Sequence, residues 1–284
     1  MRGEIAPGGG APTPALPDGA TAGRRLLIPH LLILGGTGEA AALARGALVR
    51  FGDRVAVTTA LAGRTRNPGP IAGEVRIGGF GGAAGLASYV LDHRVDRLID
   101  ATHPFAATIS RAARLAAERT GVPRLALRRP PWRRHPLDRW IEVDSLAAAA
   151  LLVGRVGRRA WLTIGAGPLA AFAPATGVHF VVRLIDPPRQ KLPLRSGEVV
   201  LGRGPFSVAE ERHLLRHHAI DVVVSRASGG AATEAKLIAA RELGLPVIMV
   251  RRPPPEPGPA VETVEAALDW LAGLGGLPQA KRMS

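Results

Sequence analysis

Gly36, Gly38 and Ala41 follow the apolar run Leu31-Leu32-Ile33-Leu34 at the spacing Gly-x-Gly-x-x-Ala. That spacing serves a dinucleotide. The first glycine allows a tight turn, the second lets backbone approach a pyrophosphate, and the alanine lets the helix pack on its strand. The free N–H groups and positive dipole end of the helix face the phosphates. Gly35, Gly36, Thr37, Gly38 and Glu39 are therefore the candidate cofactor turn.

A dinucleotide turn of this kind is usually followed, about 20 positions on, by a carboxylate that holds the ribose of NAD. Here the stretch from Val57 to Arg66 ends the second strand without one, and Asp53 lies at the strand's start. Thr59, Gly63, Arg64 and Arg66 stand there instead, and hydroxyl plus guanidinium suits a 2′-phosphate. NADPH is expected over NADH.

Asp100-Ala101-Thr102-His103-Pro104-Phe105-Ala106 closes another strand and opens a helix. Thr102, His103, Pro104 and Phe105 are thereby expected to face the cofactor. His103 could donate to it, transfer a proton or simply hold the loop together. It is the one catalytic candidate. Ser225-Arg226-Ala227-Ser228-Gly229-Gly230 repeats the strand-to-glycine pattern, and Ser228 and Gly229 would offer donors to an anion at the next helix. Gly165-Ala166-Gly167-Pro168-Leu169-Ala170 also fits the glycine spacing, with a loop or substrate contact as the expected role. His213 and His217, four apart, lack a third ligand and read as an exposed helix face. No metal site is expected.

These residues need a scaffold of alternating strands and helices. Helices are expected at 39–50, 86–92, 106–119, 208–218, 231–243 and 261–271. Strands are expected at 54–59, 75–77, 97–100, 123–127, 160–164, 178–182, 199–201, 221–225 and 247–250. Such alternation predicts an α/β protein of two Rossmann-like domains, with mainly parallel sheets and a ligand cleft between them. Residues 1–25, rich in Gly, Pro and Ala, read as a disordered extension. Residues 26–130 read as the cofactor domain, 128–136 as the crossing, 140–274 as a second, substrate-binding domain and 275–284 as a flexible tail. Arg24-Arg25 before an apolar run imitates an export signal, but Pro29 and His30 interrupt it and a core strand explains it better.

Composition narrows the partners. The chain has 284 residues, 46% hydrophobic and 21% charged, enough for a large core. It has no cysteine, which excludes disulfides, thiolate metal sites and a cysteine nucleophile and fits the cytoplasm. A net charge of +14 favours anionic ligands, while aromatic residues at 4% leave few platforms for stacking single strands. Neither nucleic acid nor membrane is expected as a partner; no apolar stretch reaches the length of a membrane span.

Taken in order, the segments resemble the precorrin-6A reductase family over roughly residues 30–253. They are Leu34-Gly35-Gly36-Thr37-Gly38-Glu39-Ala40, Ala62-Gly63-Arg64-Thr65, Gly78-Gly79-Phe80-Gly81-Gly82 and Asp100-Ala101-Thr102-His103-Pro104-Phe105-Ala106. Arg129-Pro130-Pro131-Trp132, Arg203-Gly204-Pro205-Phe206, Ser228-Gly229-Gly230, Lys236-Leu237 and Pro246-Val247 complete the set. Two positions depart from the family: Arg226-Ala227 stands where it has Lys then Asn or Asp, and Gly165-Ala166 where it has Gly-Arg. The resemblance implies an NADPH-dependent oxidoreductase of cobalamin biosynthesis, giving hydride to C19 and a proton to C18 of a polycarboxylate tetrapyrrole, precorrin-6A. It implies that Arg183, Arg203, Gly204, Arg226, Ser228, Gly229 and Lys236 meet this substrate, and that contacts with neighbouring pathway enzymes are transient. The anaerobic counterpart acting on cobalt-precorrin-6A, and a non-catalytic nucleotide sensor or polyanion binder, are the alternatives.

Overall fold

The structure, a computed structural model, describes residues 28–63 and 69–273. The expectations for 1–25, 275–284, Arg64 and Arg66 lie outside these residues. The first sheet contains β1 (His30–Leu34), β2 (Ala56–Leu61), β3 (Glu74–Ile77), β4 (Arg97–Asp100) and β5 (Arg124–Leu127). The second contains β6 (Trp140–Val143), β7 (Arg159–Leu162), β8 (His179–Leu184), β9 (Gly197–Leu201), β10 (Val222–Arg226) and β11 (Val247–Val250). The pairings of these strands are parallel. The central strands β1, β5, β10 and β11 are nearly continuously buried, as strands covered on both faces must be.

In the first sheet, α1 (Gly38–Phe51) covers one face, and α2 (Gly82–Asp92) with α3 (Ala107–Thr120) covers the other. In the second, α4 (Leu146–Val156) lies on one face and α5 (Val208–His217) with α6 (Ala235–Glu242) on the other. Strand order reverses beside β1 in the first sheet, between β1 and β4, and beside β7 in the second, between β7 and β10. Ligands of open α/β sheets sit at such reversals, beyond the carboxyl ends of the strands.

The domain limits need correction. After β11 the chain returns to the first sheet, where β12 (Ala260–Val261) pairs with β5. α7 (Val264–Gly273) then buries Ala267 and Leu271 against α1, in the core that holds Leu31, Leu43 and Phe51. Residues 260–273 thus belong with 28–127, not with the second domain. Each sheet ends on a strand delivered by a crossing from the other: β6 lies beside β11, and β12 beside β5. The apolar face of α1 requires a cover, and a short strand plus an amphipathic helix carries no local mark of which sheet it will join.

The return crossing is pinned to the first domain. Arg114 Nε donates to Glu256 at 2.7 Å, Arg124 Nη2 to the Pro257 carbonyl at 2.5 Å, and Arg128 Nη2 to the Glu256 carbonyl. Two elements without a counterpart in the sequence reading, β6 and α4, open the second domain. No described helix is long and apolar enough to cross a membrane.

Candidate active site

Thr37 ends the β1 turn in an extended conformation and caps α1: its Oγ1 accepts from Ala40 N at 3.1 Å and donates to the Ala101 carbonyl at 2.7 Å. One hydroxyl therefore starts the helix and ties both sides of the strand reversal together. Ala40 N and Ala41 N are satisfied by Thr37, which leaves the N–H groups of Gly38 and Glu39 as the first-turn donors. Gly36 has φ +101°, a left-handed conformation that favours glycine, and a Cβ on Gly36 or Gly38 would enter open space. Open space above two helix-end donors is what a pyrophosphate requires. The turn fits a dinucleotide.

Across the reversal, Asp100 is buried at the end of β4, and its Oδ1 accepts from Thr102 N at 3.1 Å and Thr102 Oγ1 at 2.6 Å. This short polar turn aims the next residues at a cavity of about 550 Å³. Thr37, Glu39, Thr102, His103 and Pro104 line it, together with Arg129 and the return crossing at 252–256. Phe105 does not line it. Its ring packs on the core of the second domain, with the Arg226 guanidinium 5.2 Å from its centroid. The expectation that Phe105 faces the cofactor is corrected, because an apolar ring at a domain seam gains more from burial.

His103 is half-buried, and Phe105 N–H donates to its Nδ1 at 3.2 Å. Burial, then the charges of Arg226, Arg129, Arg252 and Lys236, push its pKa from 6.5 down to about 3. The imidazole is neutral at physiological pH. The candidacy of His103 as proton donor is therefore withdrawn: the acid form that would give the proton is too scarce.

Thr59 is fully buried, and its methyl lies 2.8 Å from where a Gly35 Cβ would stand. It supports the turn from below and is not available to a 2′-phosphate, which corrects its expected role. Gly63 follows the end of β2 with φ +69°.

The second domain's expected residues divide. Arg183 is largely buried, paired with Glu211 at 2.7 Å, with its guanidinium over the rings of Phe206 and Trp161. Arg203 and Gly204 are exposed on the loop after β9. Lys236 is buried, donates to the Thr233 carbonyl at 2.6 Å and sits 5.0 Å from the Trp132 ring centroid. Burial pushes its pKa from 10.5 to about 7 against the attraction of Glu211.

Ser228 and Gly229 form a seam and do not make an anion cradle. A Cβ at Gly229 would strike the Pro130 carbonyl and Arg252, Trp132 Nε1 donates to the Gly230 carbonyl at 2.9 Å, and a 3-10 turn (Ala231–Thr233) separates this loop from α6. Likewise a 3-10 turn (Gly167–Phe172) follows Gly165, with no α-helix end for a phosphate.

Two arginines that sequence reasoning passed over organise this seam. Arg252 donates to the carbonyls of Ala227 (2.6 Å), Ser228 (2.8 Å), Arg129 (2.9 Å) and Pro130 (3.2 Å), joining both chain crossings to the loop after β10. Arg129 Nη1 reaches Glu39 at 3.3 Å, linking the crossing to the start of α1. Arg129 stood in the family-like segment Arg129-Pro130-Pro131-Trp132 with no role assigned to it, and Arg252 was marked only by the proline-rich stretch after it. The carboxyl ends of β4 and β10 thus meet, and Arg129, Arg226, Arg252 and Lys236 gather around His103.

The comparisons agree with this geometry. The family model described as precorrin-6x reductase CbiJ/CobK matches residues 30–272. A precorrin-6A reductase of Rhodococcus erythropolis is 50% identical over 87% of this chain and 98% of its own length. A cobalt-precorrin-6A reductase of Priestia megaterium is 29% identical over 66% of this chain and 76% of its own. The solved structure of CobK precorrin-6A reductase superposes with a TM-score of 0.83 at 43% identity, covering 88% of this chain and 99% of that one. Both the match over nearly all the described residues and the shared fold place the chain in one family: it belongs to the precorrin-6x reductases.

Proposed function

We propose that the chain reduces precorrin-6A to precorrin-6B with NADPH as the hydride source. The reaction class is that of its family, and reductases of this kind draw on a reduced nicotinamide. One observation supports the fuller reading above the others. The dinucleotide turn, at Thr37 and Glu39, and the arginines of the two chain crossings, Arg128, Arg129 and Arg252, line one cavity together with the neutral ring of His103.

When bound, the nicotinamide supplies the hydride, delivered to C19 of the macrocycle, and a proton completes the reduction at C18. The chain's residues bind and orient. Gly38 and Glu39 N–H groups hold the pyrophosphate, and Arg64 holds the 2′-phosphate. Arg226 and Arg203 take carboxylates of the substrate through charge-assisted contacts. Arg183, paired with Glu211, and Lys236, bonded to the Thr233 carbonyl, add positive charge to the same domain. The first sheet's domain takes the cofactor and the second takes the substrate. Hydride transfer needs this positioning more than it needs a protein nucleophile.

Identity of 50% with a precorrin-6A reductase against 29% with a cobalt-precorrin-6A reductase favours the metal-free substrate. The reaction belongs in the cytoplasm, with transient contacts to the enzymes before and after it. The test mixes protein, NADPH and precorrin-6A and follows loss of nicotinamide absorbance. Turnover only with the cobalt-containing ring would move the assignment to that substrate. Binding of NADPH without turnover of either ring would leave a nucleotide sensor.

A further inference from the structure

His103 has two ring nitrogens, and the fold commits only one. Phe105 N–H donates to Nδ1 at 3.2 Å, so Nδ1 is the acceptor and the single proton of the neutral ring sits on Nε2. Among the described residues Nε2 has no hydrogen-bond partner, and it is not one of the buried polar atoms sealed from solvent. His103 lines the cavity. Its Nε2–H is thus an uncommitted, unsealed donor on a residue that lines that space.

We infer that this Nε2–H holds the carboxamide oxygen of the nicotinamide, making His103 the residue that orients the reacting ring. The inference rests on the dinucleotide reading above. Position carries it. His103 follows β4, on the far side of the strand reversal from β2, and a dinucleotide spanning that reversal places its second half there. Thr37, at the pyrophosphate turn, bonds Ala101, two residues before His103, so the two contact points are held in one rigid frame.

The surrounding charges suit a neutral donor. Arg129 and Arg252 come from the chain crossings, and Arg226 and Lys236 from the second domain. Glu39 on α1 is drawn towards Arg129. Burial and the three arginines, joined by Lys236 below about pH 7, keep the ring from protonating, so its Nδ1 goes on accepting from Phe105 and its Nε2 goes on donating near neutrality. A carboxamide oxygen is an acceptor that a neutral N–H matches without adding charge next to the site of hydride loss.

The test separates the donor from the scaffold. His103→Asn retains an acceptor for Phe105 N–H but has no donor at the Nε2 position, whereas His103→Gln can place an amide N–H there. Affinities for NADPH and for adenosine 2′,5′-bisphosphate, which lacks the nicotinamide, are measured without substrate by calorimetry. Thermal melts confirm folding. The expected result for His103→Asn is an NADPH affinity about 10-fold weaker, from one lost buried hydrogen bond, with the bisphosphate unchanged. His103→Gln recovers most of that loss, and the difference stays constant between about pH 6 and pH 8.

Unchanged NADPH affinity in His103→Asn overturns the inference and leaves the donor to a substrate oxygen. Equal weakening of both ligands also overturns it, showing a scaffold role. If wild type binds neither ligand, the dinucleotide reading itself fails first.

Discussion

Replacing His103 with glutamine should remove a large part of the protein's sensitivity to acid. The group's pKa is about 3 in the fold and 6.5 in the unfolded chain. Between those values the unfolded chain binds a proton that the folded protein refuses, so stability falls as pH drops through that window. The loss follows from 1.36 kcal/mol per pH unit. It is about 2 kcal/mol at pH 5 and reaches a ceiling of about 5 kcal/mol near pH 3, with water in the cavity reducing the ceiling. Urea unfolding of wild type and His103→Gln without ligands, at half-unit steps from pH 7.5 to 4.5, isolates the term. Other histidines and carboxylates contribute equally to both curves. The wild-type disadvantage should grow by about 2 kcal/mol between pH 7 and pH 5. A constant difference across that range refutes the reasoning, because it would mean that His103 titrates in the fold as it does in the unfolded chain.

Gly38→Val should leave the melting temperature nearly unchanged, since nothing lies within 4 Å of its Cβ position, yet weaken dinucleotide binding at least about 10-fold by occupying the pyrophosphate's approach. Unaltered affinity in calorimetry would remove the turn from the site. Arg252→Ala should cost about 3 kcal/mol in urea unfolding, since one guanidinium serves four carbonyls and their contributions overlap. Arg252→Lys should recover less than half, as a single ammonium cannot span both segments; a cost under about 1 kcal/mol for the alanine would show the strap to be incidental. Lys236, at about 7 in the fold against 10.5 when unfolded, should make stability rise with pH between those values. That rise should vanish in Lys236→Met, and its persistence would place the titration elsewhere. Arg64→Ala should weaken NADPH about 10-fold and leave NADH unchanged; equal losses would dissociate Arg64 from the 2′-phosphate.

The strand-turn-helix at residues 31–41 was legible because its signal is local. An apolar run and glycines at fixed spacing before a helical stretch each act over one or two turns of chain. The same locality made Asp100 to Pro104 readable as a ligand-facing strand end, and the order of the motifs was enough to suggest the family. The alternation of strands and helices was recovered for most of both sheets. β6 was missed because four residues around Trp140, half of them exposed, follow a proline- and arginine-rich crossing that masks their period. α4 was missed although Ser145 caps it: its alanine- and leucine-rich stretch carries too little polar contrast to show a face.

What the sequence by itself determined is the chemistry available at each strand end. It identified a phosphate-compatible turn, the polar turn at Asp100 with its histidine, and a surplus of arginine for an anionic ligand. Tertiary structure alone decided which of those groups meet and in what state. Thr59 was to touch a phosphate, but β2 places it inside the sheet; Gly229 was to cradle an anion, but Pro130 and Arg252 occupy its flank. Residues 260–273 were assigned to the nearer domain, but α7 covers α1 in the other. His103 is the sharpest case. Its side chain is the same in any chain, but its proton is governed by burial first and then by charges from positions 226, 129, 252 and 236. Long-range electrostatics and burial depend on distances in space, and separation along the chain carries no record of them.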